Sequence, residues 1–184
     1  MKTNVIADSS FYICFLDDIV DHEILILFIT RPELIFTVGR IIAKEIKKSS
    51  NFENIKKNFN SNILIFSYYE YGEILKPFFS EDEILKGEHE VIVISYIFYY
   101  LNKRFLVILD DIWARKYLIN NFPDLEDNLK GTIGFIEYSA SNHSFFTPKS
   151  AIIILEKIKK SKFRVKENII RSTIKKIQDL YNGK

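Results

Sequence analysis

The sequence has few of the residues that most often bind transition metals. Its 184 residues include one cysteine and three histidines. The single Cys14 excludes an internal disulfide framework and any zinc site built from several cysteines. Because it lies in the apolar run 11–16, we expect it to be buried and inert. We interpret the scattered histidines as surface or structural residues, so any metal chemistry is expected to use oxygen ligands: His22, His89 and His143.

The sequence also lacks a long hydrophobic run. Its longest uncharged apolar stretch, Val91–Asn102, has 12 residues and is too short to span a bilayer. The apolar stretch near the N-terminus is too short for a secretory signal. With 47% hydrophobic and 27% charged residues, the chain is expected to form a sizeable core. We therefore expect a soluble cytoplasmic protein with no membrane partner.

The formal net charge of +2 excludes the strongly basic character of a dedicated nucleic-acid coat protein. The charge is unevenly distributed, however, at −5 over residues 1–150 and +7 over residues 151–184. Two interpretations of the basic C-terminal segment stay open, a contact with the nucleic-acid backbone and an ordinary solvated helix face. Its candidate contact residues are Lys157, Lys159, Lys160, Lys162 and Arg164.

Short apolar runs alternate with helical patterns, which predicts an α/β fold with a parallel sheet. Ser9 and Ser10 are candidate caps for the first helix, and Ser80–Glu83 matches a capping box. The predicted strands cover residues 3–8, 34–38, 63–69, 105–109 and 129–130.

Acidic residues follow two of these predicted strands. Asp8 ends the first strand, and Asp110 and Asp111 follow the FLVIL strand. Ligands bind outside the carboxyl ends of the strands in such sheets, and Glu45 and Glu88 lie on helices that can face the same crevice. The sequence contains no P-loop, no dinucleotide fingerprint and no HExxH motif. Clustered carboxylates favour Mg²⁺ or Mn²⁺ and suit metal-dependent phosphodiester hydrolysis.

Five motifs in order carry a resemblance to a known family. They are IADSS at 6–10, AKEIKK at 43–48, LKGEHEVIVIS at 85–95, FLVILDDIWAR at 105–115 and GTIGFI at 131–136. The sequence resembles the PIN-domain nucleases, which include VapC-type toxins. It is most similar to a prokaryotic PIN branch of unknown function with GExEA and DDxxAR motifs. Val91, Ile94 and Ser95 replace small residues of the family pattern, and they occupy packing positions.

The resemblance implies a three-layer α/β/α fold with a central parallel sheet. It implies a PIN-like nuclease domain over residues 1–145, with a basic helical extension over residues 146–184 packed on it. The expected function is a Mg²⁺- or Mn²⁺-dependent ribonuclease, acting as a toxin or in RNA processing. The alternatives are a catalytically weak scaffold that binds RNA or a protein, and a structure-selective DNA nuclease. Implied partners are an RNA substrate, an antitoxin protein and a second copy of the chain docked through residues 91–102.

The resemblance also assigns roles to the acids. Asp8 and Glu88 would hold metal together with Asp110 or Asp111, and Glu45 would support them. Each has a structural alternative, such as an N-cap for Asp8 and a pair with Lys48 for Glu45.

Three further residues have supporting roles under the resemblance. Glu90 is an alternative to Glu88 as the metal ligand, since the two cannot point the same way on a helix. Arg115 would neutralise the acids or touch phosphate, unless it forms an ordinary salt bridge. Thr132 would bond a carboxylate behind the site or cap a helix.

Overall fold

The computed structural model describes residues 2–66, 86–141 and 146–182. The chain divides into two compact units, Met1–Leu129 and Lys130–Lys184. The domain boundary expected after residue 145 therefore falls inside the second unit. The Ser80–Glu83 capping box, His143 and the end of the strand predicted at 63–69 lie outside the described residues.

The first unit is built on a parallel sheet. The strands among the described residues are β1 Thr3–Ala7, β2 Leu34–Val38, β3 Ile63–Ile65, β4 Phe105–Ile108 and β5 Leu129–Lys130. Central strand β1 pairs in parallel with β2 and with β4, and β2 pairs with β3. These strands follow the order β3-β2-β1-β4-β5, and helices flank the sheet, so the predicted α/β/α class is confirmed.

Helices alternate with these strands along the described chain. A π-helical turn at Cys14–Asp18 follows the first helix, and 3₁₀ turns occupy Phe52–Asn54 and Pro123–Asn128. The first unit contains α1 Ser9–Ile13, α2 His22–Ile29, α3 Arg40–Ile46, α4 Lys56–Asn62, α5 Gly87–Tyr100 and α6 Ile112–Asn121. The second unit contains α7 Thr132–Ser141, α8 Pro148–Lys159 and α9 Glu167–Asn182.

An aromatic cluster anchors α1 on the sheet. Phe11 stacks on Phe36 of β2, with ring centroids 5.7 Å apart, and Tyr12 meets the same ring edge-on at 6.4 Å. Phe28 of α2 lies 5.9 Å from Phe11. Cys14 is buried as predicted, and burial raises the pKa of its thiol, so the reactive thiolate is disfavoured. This packing fixes the residues that follow β1.

Helix α5 lies largely in the interior, where it packs against β1 and β4. Its side chains from Val91 to Ile94 are buried, and the exposed aromatic residues are confined to its C-terminal end, at Tyr99 and Tyr100. Most of the helix is therefore unavailable for the dimer surface expected at residues 91–102. Homodimer formation itself stays a prediction.

The second unit is a helical packing in which α7, α8 and α9 contact one another. Thr147 caps α8 by accepting a hydrogen bond from the Ser150 amide at 3.1 Å. Lys159 forms an ion pair with Glu167 at 3.4 Å, and its contact with nucleic acid stays a prediction. The other predicted contact residues are exposed, at Lys157, Lys160, Lys162 and Arg164. No helix among the described residues is long and apolar enough to cross a membrane.

Candidate carboxylate site

Asp8 is fixed where β1 passes into α1. Its backbone is extended, and Oδ1 accepts a hydrogen bond from the Phe11 amide at 3.2 Å. Oδ2 accepts a second hydrogen bond from the Asp110 amide, also at 3.2 Å. Asp8 rather than Ser9 or Ser10 is therefore the N-cap of α1, and the same side chain ties β1 to the end of β4.

The environment of Asp8 disfavours its charged form. The side chain is 3% exposed. Burial raises its pKa from 3.8 to about 7, and the negative charges of Asp110 and Glu88 add to this, against the lowering effect of the two backbone N–H groups. Burial of this acid beside other carboxylates costs stability, so its presence favours a functional role.

Two predicted acids lie at the N-terminal end of helix α5. Glu88, in its first turn, is half-buried and contributes to the raised pKa of Asp8. Glu45 of α3 reaches the start of the same helix, since a Cβ added at Gly87 would lie 3.1 Å from its Oε2. A carboxylate beside a helix N-terminus is stabilised by the helix dipole. Glu88 is therefore close enough to Asp8 to act on its charge, whereas Glu45 is placed only against the start of α5.

Glu90 has a structural role at the start of α3, and its alternative role as a metal ligand stays a prediction. Its carboxylate accepts hydrogen bonds from the Ile41 amide at 3.0 Å and the Ile42 amide at 2.9 Å. Amides in the first turn of a helix have no acceptor within the helix, so the Glu90 carboxylate caps α3. Gly39 makes room for it, because a Cβ there would overlap the Glu90 carboxyl group.

The two adjacent aspartates after β4 diverge. Asp110 is half-buried and lies beside Asp8, to which its amide donates. Asp111 is exposed and caps α6, accepting a hydrogen bond from the Ala114 amide at 2.7 Å. The structure therefore places Asp110 beside Asp8 and Asp111 at the cap of α6, and the metal-ligand role of Asp111 stays a prediction.

Replacing Asp111 by alanine is expected to destabilise the protein by about 1 kcal/mol, because α6 loses its side-chain cap. Its effect on metal-dependent activity is expected to be less than twofold. Urea unfolding and initial cleavage rates measure the two quantities. A loss of activity as large as that of an Asp110→Asn variant would contradict the assignment.

The other two supporting residues predicted from the sequence occupy different positions. Arg115 donates through Nη1 to the Leu109 carbonyl oxygen at 3.0 Å, so it fastens α6 to the end of β4. Thr132 begins α7 in the second unit and is fully buried. Its predicted contact with a carboxylate stays a prediction.

Tyr12 is a residue of this region that the sequence patterns did not indicate. Its side chain is fully buried, and its hydroxyl has no hydrogen-bond partner among the described residues. Burial raises its pKa, and the charge of Asp8 adds to the effect. The spacing of four residues from Asp8 on one helical turn was the available signal.

The acids fit a hard divalent cation with an open coordination sphere. Among the described residues, no group of three or more His, Cys, Asp or Glu side chains is placed to hold a metal ion. Mg²⁺, however, is usually held by one or two carboxylates, with water and substrate phosphate completing its octahedron. Each Asp8 oxygen accepts one backbone hydrogen bond, and a carboxylate oxygen has a further lone pair to offer. Asp8 and Asp110 therefore suit such a site.

Comparison with family models, curated proteins and solved structures found no match to this chain. The similarity to PIN-domain nucleases thus stays a prediction from its motifs. The case for function depends on the acids themselves.

Proposed function

We infer that this protein is a divalent-metal-dependent nuclease that hydrolyses phosphodiester bonds, with RNA as its substrate. The observation that carries the proposal is the buried Asp8 carboxyl, whose pKa is raised to about 7 beside Asp110 and Glu88. A fold gains no stability from gathering these charges. A cation among them offsets their repulsion and favours the ionised form of Asp8.

The position of each acid would set its role in the reaction. Asp8 and Asp110, at the ends of adjacent strands, would hold Mg²⁺ or Mn²⁺. A bound cation of this kind supplies an activated water and stabilises the leaving oxygen in phosphodiester hydrolysis. Glu88 would orient the attacking water through a hydrogen bond, and Glu45 at the start of α5 would support that side of the site. The choice of RNA over DNA is based on the resemblance alone.

A second candidate function is a single-stranded RNA-binding scaffold with little catalysis. Two observations favour it. Both Asp8 oxygens already accept backbone hydrogen bonds, and the described residues contain no group of three or more His, Cys, Asp or Glu side chains placed to hold a metal ion.

Cleavage assays separate the two candidates. Labelled RNA and DNA of one sequence would be incubated with Mn²⁺, Mg²⁺ or EDTA and with wild type, Asp8→Asn, Glu88→Gln or the control Asp111→Asn. We expect metal-dependent cleavage by wild type and Asp111→Asn, and a loss of at least about a hundredfold in the other two. Equal rates in all four proteins would overturn the site. Binding without cleavage of either polymer would favour the scaffold.

A further inference from the structure

The only tryptophan of the chain lies exposed beside the acidic cluster. Trp113 occupies the first turn of α6, three residues beyond Asp110. It is 52% exposed and its neighbour Ile112 is 65% exposed, although large apolar side chains of the first unit mostly lie in the core. An exposed aromatic ring close in the chain to a candidate site is available to a ligand.

The indole ring is held in place from within the fold. His89, which follows Glu88 on α5, meets it edge-on with ring centroids 5.4 Å apart. Tyr117, one turn later on α6, lies 5.4 Å away at an interplanar angle of 31°. His89 is itself buried. The exposed part of Trp113 is therefore preorganised, so little side-chain entropy is lost when a ligand binds to it.

We propose that Trp113 is a stacking platform for an unpaired base of the single-stranded nucleic acid that the acidic cluster cleaves. The proposal is based on the function proposed above and adds a preference for single strands. Aromatic side chains stack on any base, because each base has a π-face. A base paired inside a duplex keeps that face covered by its neighbours, so it is not available to the indole.

Two exposed lysines lie close in the chain to Trp113 or to the His89 that it contacts. Lys116 follows Trp113 by three residues, which places it on the adjacent helix surface. Lys86 precedes His89 by three residues at the start of α5, and both lysines are exposed. Exposed lysines are the side chains that neutralise nucleic-acid phosphates.

A protein partner fits this surface less well. A stable dimer buries about 800 Å² on each copy. Here two exposed apolar side chains, Ile112 and Trp113, lie between the exposed charges of Asp111 and Lys116. This apolar area matches one base better than a protein interface.

Because Trp113 is the only tryptophan, its fluorescence reports on this surface directly. Full-length Asp8→Asn protein, which keeps the substrate uncut, would be titrated in Mg²⁺ with three oligonucleotides. These are a single strand, its duplex and an abasic strand with the same phosphates, and anisotropy of a labelled strand would measure binding independently. We expect the intact single strand to quench the indole emission, and the other two to leave it nearly unchanged.

Substitution then tests the energetic role. In the otherwise wild-type protein, Trp113→Ala is expected to raise KM for a single strand about tenfold to a hundredfold with little change in kcat. Trp113→Phe should recover most of the loss, and Ile112→Ala is the matched control for lost apolar area. Equal thermal stability of the variants would show that the KM change does not arise from unfolding.

Several outcomes would overturn the stacking site. Binding by anisotropy without any quenching would do so, as would no binding of any strand, or equal KM in wild type and Trp113→Ala. Emission that changes with protein concentration alone would assign the surface to a dimer instead. Failure of the nuclease proposal has a different signature, in which the single strand quenches Trp113 but wild type cleaves nothing.

Discussion

Asp8→Asn is expected to abolish metal-dependent cleavage and, at the same time, to stabilise the metal-free protein at pH 8. Asparagine keeps the N-cap of α1, because its side-chain oxygen can still accept from the Phe11 amide. It removes the negative charge that burial, Asp110 and Glu88 disfavour. Substitution of a catalytic acid typically lowers activity and raises stability, whereas substitution of a structural acid lowers both.

The stability gain should depend on pH. The pKa of Asp8 rises from 3.8 to about 7 on folding, so between these values the unfolded chain releases a proton that the folded chain keeps. The stabilising effect of the neutral carboxyl is fully present below pH 3.8 and is lost as pH rises to about 7. The linked free energy is about 4 kcal/mol.

Not all of that free energy is recovered in the variant. The asparagine amide cannot accept from the Asp110 amide, and an unsatisfied buried donor costs about 1–3 kcal/mol. The net gain at pH 8 is thus expected to be about 2 kcal/mol, and it should shrink towards pH 5.

Urea unfolding at pH 5 and pH 8, without metal, measures this effect. Asp111→Asn is the matched control, since it makes the same chemical change at an exposed helix cap. A destabilised Asp8→Asn protein at pH 8, or an equal pH-dependent gain in the control, would contradict the electrostatic account of the site.

Glu88 and Glu90 should respond to alanine in opposite ways, although they lie two residues apart on one helix. Glu90→Ala leaves the Ile41 and Ile42 amides without their acceptor. Two unsatisfied buried donors are expected to cost about 3 kcal/mol of folding free energy. The folded fraction of this variant should cleave at a rate close to that of wild type, because Glu90 caps α3.

Glu88→Ala is expected to do the reverse. Its side chain is half-buried, and its removal relieves part of the repulsion on Asp8, so stability should change by less than about 1 kcal/mol. Cleavage should fall by at least about a hundredfold. Each variant serves as the other's control in urea unfolding and in cleavage rates corrected for the folded fraction. Interchanged results would show that the two roles have been assigned the wrong way round.

Local sequence patterns were sufficient for the strands and for the acids that end them. Leu34–Val38 has the predicted bounds, because an apolar run is a local property. Asp8 and Asp110 come together because parallel strands end at the same edge of a sheet. This much of the site follows from fold class alone.

The direction of each side chain could not be predicted in the same way. Asp110 and Asp111 are adjacent, and their different roles depend on where β4 ends and α6 begins. Glu90 points to α3 only because Gly39 leaves space for its carboxyl group, which is a contact between residues distant in sequence. The exposure of Trp113 likewise depends on the packing of α5 against α6. Such tertiary contacts leave no local pattern.

Calorimetric titration of the metal-free protein with Mn²⁺ at pH 8 tests the central claim most directly. The wild type and Asp111→Asn are expected to bind Mn²⁺ with matching affinities. Asp8→Asn is expected to lose at least about tenfold in affinity, because it removes a charged oxygen ligand. Equal Mn²⁺ binding by all three proteins, or no binding by wild type, would contradict the assignment of Asp8 and its neighbouring acids as a metal site.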